Sequence, residues 1–193
     1  MHESFDLCDV RKFEQVSKDC REGRVVAGLA SPPCSTFSRA RHRQLAGGEL
    51  GPRPLRSRSH PFDPLPHLSF QELRAHAIGT HLMCACMHLL WLIGLRRGWT
   101  GLEHPADPGM EPFPSAFFSK EMSYLVQSCE GVILLIHQCC FGAATVKPTN
   151  LFTCDRGAGD LFEPRCRHPR GFHKPAVGRS RGGGFKTTCL ARY

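Results

Sequence analysis

Residues 164–193 contain no aspartate or glutamate, although eight of them are lysine or arginine. Residues 39–59 are also poor in acids, with six arginines and a single acid, Glu49. The whole chain has a formal net charge of +8, and outside these two stretches 11 basic and 16 acidic residues leave a net charge of −5. Basic charge gathered in segments that contain glycine and proline favours a polyanionic partner, usually phosphate, with solvated loops as the alternative.

The sequence also lacks the features of an exported or membrane protein. Its first residues have no basic segment followed by an apolar core, which a signal peptide needs. The longest apolar stretch, 82–95, is short of the roughly 20 residues that span a bilayer. Eleven cysteines, an odd number, are therefore expected to be reduced thiols. We expect an intracellular protein without a membrane partner, nuclear in a eukaryote and cytoplasmic in a prokaryote.

Short apolar runs alternate with helical patterns along the chain. Ser69 and Glu72 form a capping box at the start of a long helix. Alternation of this kind predicts an α/β fold with a largely parallel sheet, and the first strand is apolar enough to be buried on both faces. The predicted strands cover residues 24–30, 99–105, 131–142 and 148–155. A short first helix is predicted to begin at Asp9, and two further helices are predicted to cover residues 70–97 and 115–130.

The same pattern predicts the domain organisation. Residues 1–156 are expected to form a core that contains a long basic loop, residues 35–66. Residues 157–193 are expected to be an irregular, basic extension rich in glycine and proline.

The stretch SPPCSTFS, residues 31–38, places Cys34 at the end of the first predicted strand. Glu103 ends the next predicted strand, so both residues are expected at one edge of the sheet. A cysteine on a turn stiffened by prolines, beside an arginine-rich loop, suits a nucleophile, and a nearby glutamate suits a general acid or a hydrogen-bonding group. A buried core thiol and a surface turn residue are the alternatives.

Four short motifs together resemble the cytosine carbon-5 DNA methyltransferases over about residues 6–155. GLASPPCSTFS resembles their Pro-Cys motif and the Phe-Ser pair after it. LEHP, with Glu103, stands where they have a glutamate at a strand end. CCFGAATVKPTNLF, with Lys147, resembles their aromatic-Gly motif. CDV, with Asp9, lies where they have a cofactor-contacting aspartate.

The resemblance implies a Rossmann-like sheet of the class I methyltransferase type, and S-adenosylmethionine as cofactor. It implies that Cys34 attacks carbon 6 of a flipped cytosine, that Glu103 holds ring nitrogen 3 and the exocyclic amine, and that Lys147 replaces an arginine near the base. Asp9 and Pro33 would lie against the cofactor. Helix capping is the alternative for Asp9, and solvation for Lys147. DNA would be held by Ser38, Arg39, Arg41, Arg43, Arg53, Arg56 and Arg58.

The sequence departs from the family in ways that leave a second hypothesis open. No Phe-x-Gly-x-Gly loop precedes Cys34, and Glu103 is followed by His-Pro instead of Asn-Val. The first strands of the family's sheet are therefore expected to be missing, which leaves a partial enzyme with an exposed sheet edge that a second chain completes. The alternative is a non-catalytic nucleic-acid-binding remnant of a mobile or duplicated gene.

A third, weaker hypothesis is an interaction protein stabilised by zinc. Its ligands would be Cys154, Cys166, His168 and His173. Their spacing, C-x11-C-x-H-x4-H, matches no common zinc finger, so we predict no metal site.

Overall fold

A computed structural model describes residues 6–42, 52–155, 157–158 and 164–174. The helices are α1 (Val10–Arg21), α2 (Phe70–Leu95) and α3 (Lys120–Ser128), and the strands are β1 (Ala27–Ala30), β2 (Trp99–Pro105), β3 (Val132–His137) and β4 (Pro148–Thr153). Short 3-10 helices cover Arg39–His42, Ala116–Phe118 and Gln138–Phe141. Each predicted helix and strand is present, mostly with shorter bounds.

The helices begin where the sequence places N-capping side chains. The Asp9 carboxylate accepts hydrogen bonds from the backbone N–H groups of Arg11 and Lys12, which confirms that Asp9 caps α1. Ser69 and Glu72 form the predicted capping box at the start of α2. The Ser119 hydroxyl caps α3.

The fold is α/β, with a four-stranded mixed sheet in the order β1-β2-β4-β3. Only β1 and β2 pair in parallel, whereas β4 is antiparallel to both of its neighbours. The expectation of a largely parallel sheet is therefore wrong for two of the three pairings. The physical reason is the short link 138–147, which is too short to carry the crossover that parallel strands require. Even so, β1, β2 and β3 run in the same direction, so their C-terminal ends share one edge.

The core lies between the sheet and α2. This helix contacts α1, α3, β1 and β2. Among the described residues, α2 is also the one helix whose length and composition would let it cross a membrane, a test that the core helix of a folded domain passes too. The central cluster includes Met83, Met87, Leu90, Leu102, Met122, Leu125 and Phe152.

Strand β1 forms an edge of the sheet. The prediction that it is buried on both faces is wrong, because Leu29 is 68% exposed and β2 is its only neighbour among the described strands. Its opposite face is closely packed, since a side chain at Gly28 would meet Ile93 and Leu90 of α2. A groove of about 480 Å³ follows this edge, lined by β1, α1 and α2.

Candidate functional site

Glu103 is the centre of a polar cluster at the C-terminal edge of the sheet. The Ser31 hydroxyl donates a hydrogen bond of 2.5 Å to Glu103 Oε2. The Gln138 side-chain amide donates a hydrogen bond of 3.0 Å to Glu103 Oε1, and Lys147 Nζ lies 3.8 Å from the same oxygen. Both carboxylate oxygens are therefore oriented by the protein, and each retains acceptor capacity for a ligand.

The strand directions explain why these four residues meet. Ser31 follows β1, Glu103 lies near the end of β2, and Gln138 follows β3. Lys147 comes directly before β4, whose antiparallel direction returns it to the same edge. The strand ends thus meet at one edge as predicted, although the sheet is mixed and not largely parallel.

Cys34 lies on the turn after β1, half-buried. Its carbonyl accepts a hydrogen bond of 3.0 Å from the Phe37 N–H, which closes the turn. Burial raises the pKa of the Cys34 thiol, the charge of Lys147 acts in the opposite direction, and that of Glu103 raises it further. Among the described residues, the cation that lowers the pKa of this thiol is thus Lys147 and not an arginine of the basic loop.

Lys147 has a backbone conformation that is uncommon for a residue with a side chain, with φ of 34°. Two donors hold its carbonyl, the Gln138 N–H at 3.3 Å and the Thr149 hydroxyl at 3.1 Å. Gln138 therefore positions Glu103 through its side chain and Lys147 through its backbone.

Phe37, of the Phe-Ser pair, is buried behind the site. Its ring contacts the His104 ring edge-to-face, with centroids 5.0 Å apart. Burial lowers the pKa of His104 to about 3, helped by the charges of Arg56 and Lys147. Neither ring nitrogen of His104 has a hydrogen-bond partner within the described part of the chain. His104 is therefore a neutral core residue directly beside Glu103.

Arg56 does not face solvent, which contradicts the prediction that it contacts DNA phosphates. Its side chain is 0% exposed, and its guanidinium lies 4.0 Å from the centre of the Phe37 ring. It donates to four protein oxygens, so it holds the basic loop onto α2 and the turn after Cys34. These acceptors are Thr36 Oγ1, Thr80 Oγ1 and the carbonyls of Pro61 and His76.

Arg58 is also buried, and the prediction that it contacts phosphate is wrong for the same reason. Its guanidinium forms an ion pair with the Asp107 carboxylate, with Nη2 at 3.0 Å from Oδ2. It also stacks over the Phe118 ring at 3.9 Å.

The other predicted DNA-binding residues have different environments. Arg53 is exposed and pairs with Glu72, whereas Arg41 donates to the carbonyls of Ser35 and Arg53. Arg39 is exposed and lies 5.0 Å from the Phe113 ring centre. A role in DNA binding stays a prediction for these three residues and for Ser38, which is half-buried. Arg43 lies outside the described residues.

The two predicted cofactor residues do not lie in one site. Pro33 lines the groove beside β1, as do Asp6 and Leu7, whereas Asp9 caps α1. The groove is lined mostly by apolar residues, and Gly28 is the only glycine among them. The described residues thus supply no glycine-rich turn for the methionine part of S-adenosylmethionine, and they do not complete a site for it.

Sequence reasoning missed Ser31 and Gln138 as members of the Glu103 cluster. Ser31 is the first residue of the SPPC stretch, so its hydroxyl could have been considered as a partner of Glu103. Gln138 follows the third strand without a local motif, and only the shared strand direction points to it. The set of zinc ligands considered from the sequence also changes. The Cys154 thiol is hydrogen-bonded to the Thr100 hydroxyl and the Gly98 carbonyl, and it does not lie with the other three residues.

The described part of the predicted extension packs against the core. The His137 N–H donates to the Pro164 carbonyl at 2.9 Å, and the Lys174 N–H donates to the Ala144 carbonyl at 3.1 Å. Residues 175–193, the rest of that extension, lie outside the described residues.

Comparisons with models of known protein families, with curated proteins and with solved structures find no match for this chain.

Proposed function

We propose that this chain is a DNA cytosine-5 methyltransferase-like protein that uses Cys34 as a nucleophile on a flipped cytosine. The observation that carries the proposal is that Glu103 and Lys147 are paired at the edge of the sheet where β1 ends in the turn that holds Cys34. These three residues come from separate motifs of the resemblance, and chance matches would not be expected to meet.

The sheet also supports the finer fold assignment within this proposal. In a doubly wound fold, ligands bind at the C-terminal ends of strands that run in one direction. Here β1, β2 and β3 share a direction, α2 connects the parallel pair β1 and β2, and β4 is the single opposing strand. Sheets of this class do include antiparallel members, so the arrangement is compatible with a partial Rossmann-like sheet that lacks its first strands.

The chemistry asked of these residues is covalent addition to the base. The Cys34 thiolate forms a bond to carbon 6, and the electrons of the carbon 5–carbon 6 double bond move through the ring to nitrogen 3. A proton from water is taken up at nitrogen 3, which lies next to the Glu103 carboxylate. Carbon 5 of the resulting enamine is then nucleophilic, which the intact aromatic ring does not allow.

Restoration of the base reverses the addition. After carbon 5 has taken its new substituent, a water molecule accepts the original proton of that carbon, the Cys34–carbon 6 bond breaks with release of the thiolate, and nitrogen 3 returns its proton to the solvent. Ser31, Gln138 and Lys147 hold the Glu103 carboxylate in one orientation throughout. Such preorganisation is the main contribution that fixed polar groups make to catalysis.

The methyl donor implied by the resemblance is S-adenosylmethionine. The described residues do not complete a site for it. We propose that a second chain docks on the exposed β1 edge and completes the sheet. The exposed position of Leu29 and the apolar groove beside it support this arrangement.

The same exposed edge favours a second candidate function. A chain without its cofactor half would be a non-catalytic nucleic-acid-binding module, with phosphates bound by exposed residues such as Arg39 and Arg53. Its affinity for DNA would fall steeply with salt and would not depend on Cys34.

Trapping distinguishes the two functions. The chain is incubated with S-adenosylmethionine and DNA that contains 5-fluorocytosine, whose carbon 5 cannot lose a proton, so the covalent adduct persists. We expect a cofactor-dependent adduct on a denaturing gel, absent in Cys34→Ala and retained in Cys8→Ala, a control at an exposed thiol before α1. Salt-sensitive DNA binding without any adduct would leave the non-catalytic module.

A further inference from the structure

Two cysteines and two histidines from segments that are distant in the sequence lie close together beyond the end of β3. Cys139 lies in the 3-10 helix Gln138–Phe141, and Cys166, His168 and His173 lie in residues 164–174. One ligand atom from each residue lies within 4.8 Å of all the others. Cys166 Sγ is 3.4 Å from His168 Nδ1 and 3.1 Å from His173 Nε2.

We propose that Cys139, Cys166, His168 and His173 bind one structural Zn²⁺ ion. In a tetrahedral site with ordinary zinc–sulfur and zinc–nitrogen bonds, a sulfur and a nitrogen ligand lie about 3.6 Å apart. The observed separations are a few tenths of an ångström shorter, so a small expansion admits the ion. Four protein ligands leave no open position, which is typical of a structural site and not of a catalytic one.

The ligand chemistry selects the metal. Two thiolates and two imidazoles favour zinc over the hard cations Mg²⁺ and Ca²⁺, which prefer oxygen ligands. The described cluster contains no carboxylate.

Backbone contacts bring the two segments together without help from the ligand side chains. The Cys166 N–H donates to His137 Nδ1 at 2.8 Å, and the His137 N–H donates to the Pro164 carbonyl. The His168 ring stacks on Phe172, with centroids 4.3 Å apart and planes within 3°. Groups outside the cluster thus hold Cys166 and His168 in place.

The zinc site would also support the Glu103 cluster, since Cys139 directly follows Gln138. An ion that fixes the 3-10 helix would fix the residue whose amide holds Glu103. The proposal itself does not depend on the enzyme proposal, because metal binding is measured without any substrate.

The test uses the full chain, purified with zinc present and then exchanged into metal-free buffer. We expect one zinc per chain by elemental analysis. Replacement by Co²⁺ should give the visible bands of a tetrahedral ion and a near-ultraviolet thiolate-to-metal band. Cys166→Ser and His173→Ala should lose the metal, whereas Cys154→Ser and Cys140→Ser should retain it.

A ligand swap protects the test against variants that simply fail to fold. Cys139→His keeps four ligands but removes one of two thiolates, so the Co²⁺ complex should persist with its thiolate band reduced to about half. A wild-type chain that retains no zinc and gives no tetrahedral Co²⁺ spectrum would overturn the proposal. Loss of metal in Cys154→Ser with retention in Cys139→Ser would overturn the ligand set.

Discussion

The side-chain amide of Gln138 donates a hydrogen bond of 3.0 Å to the Glu103 carboxylate, although 35 positions separate the two residues. The contact joins the end of β3 to the end of β2 across β4, which lies between them. Because Gln138 also donates its N–H to the Lys147 carbonyl, one residue orients both charged groups of the candidate site.

Replacing Gln138 tests that positioning role. Gln138→Leu should slow formation of the cytosine adduct by about 10- to 100-fold, because a misoriented carboxylate loses catalytic geometry. The free energy of unfolding should change by less than about 1 kcal/mol, since one partly buried hydrogen bond is lost. Gln127→Leu, at an exposed position of α3, is the matched control for the adduct rate. An unchanged rate in Gln138→Leu would contradict the role.

The reactivity of Cys34 should report its two charged neighbours. Iodoacetamide reacts with the thiolate, so the alkylation rate of Cys34 rises with pH through the pKa of the thiol. Lys147→Met should move this profile to higher pH, because it removes the charge that lowers the pKa, and Glu103→Gln should move it to lower pH. Lys147→Arg keeps the charge and serves as control. Peptide mapping by mass spectrometry measures the alkylation of Cys34 separately from that of the other cysteines. If Lys147→Met and Glu103→Gln moved the pH profile in the same direction, the account would be refuted.

Arg56 should matter for stability and not for phosphate contacts. Arg56→Met leaves buried acceptors at Thr36, Pro61 and His76 without their donor, which should cost about 3 kcal/mol in urea unfolding. Arg39→Met, at an exposed site, should cost less than about 1 kcal/mol. Equal effects from the two substitutions would show that the loop is not anchored as described.

His104 should make stability depend on pH on the acidic side. Its folded pKa of about 3 lies below the unfolded value of 6.5, so between these values the unfolded chain binds a proton that the folded chain does not. The contribution of His104 to the free energy of unfolding should therefore be fully present above about pH 6.5. It should fall as the pH is lowered toward 3, by at most about 1.4 kcal/mol per pH unit.

Removal of the His104 imidazole should flatten that dependence. Urea unfolding of His104→Gln at several pH values should show a smaller slope than the wild type, with part of the slope remaining because burial also lowers the pKa of His42, His76 and His88. An identical slope in His104→Gln would mean that this ring is protonated in the folded state.

The sequence predicted local features well because their causes are local. Asp9, Ser69 and Glu72 act within one helical turn, so capping could be inferred from spacing. The direction of β4 could not be inferred in this way, because strand pairing depends on long-range contacts that a run of apolar residues does not encode. The placement of Cys34 and Glu103 at one edge depended only on the direction of β1 and β2, so it could be predicted although the sheet type was wrong.

The burial of Arg56 and Arg58 shows a further limit. Their sequence context is a proline-rich basic loop, and charge alone suggested solvent exposure. Acceptors for their guanidinium groups lie in α2 and after β2, at Thr80 and Asp107. Such partners become visible only when the loop is folded onto the core.

Exchange of the hydrogen at carbon 5 of cytosine is the most direct test of the central claim, that Cys34 adds to the base. A cytosine-containing oligonucleotide is incubated with the chain in deuterated water, with and without S-adenosylmethionine, and deuterium at carbon 5 is measured by mass spectrometry. Addition of Cys34 makes carbon 5 exchangeable without any methyl transfer, so we predict deuterium incorporation by the wild type and none by Cys34→Ala. Bound oligonucleotide without exchange under either condition would contradict the account.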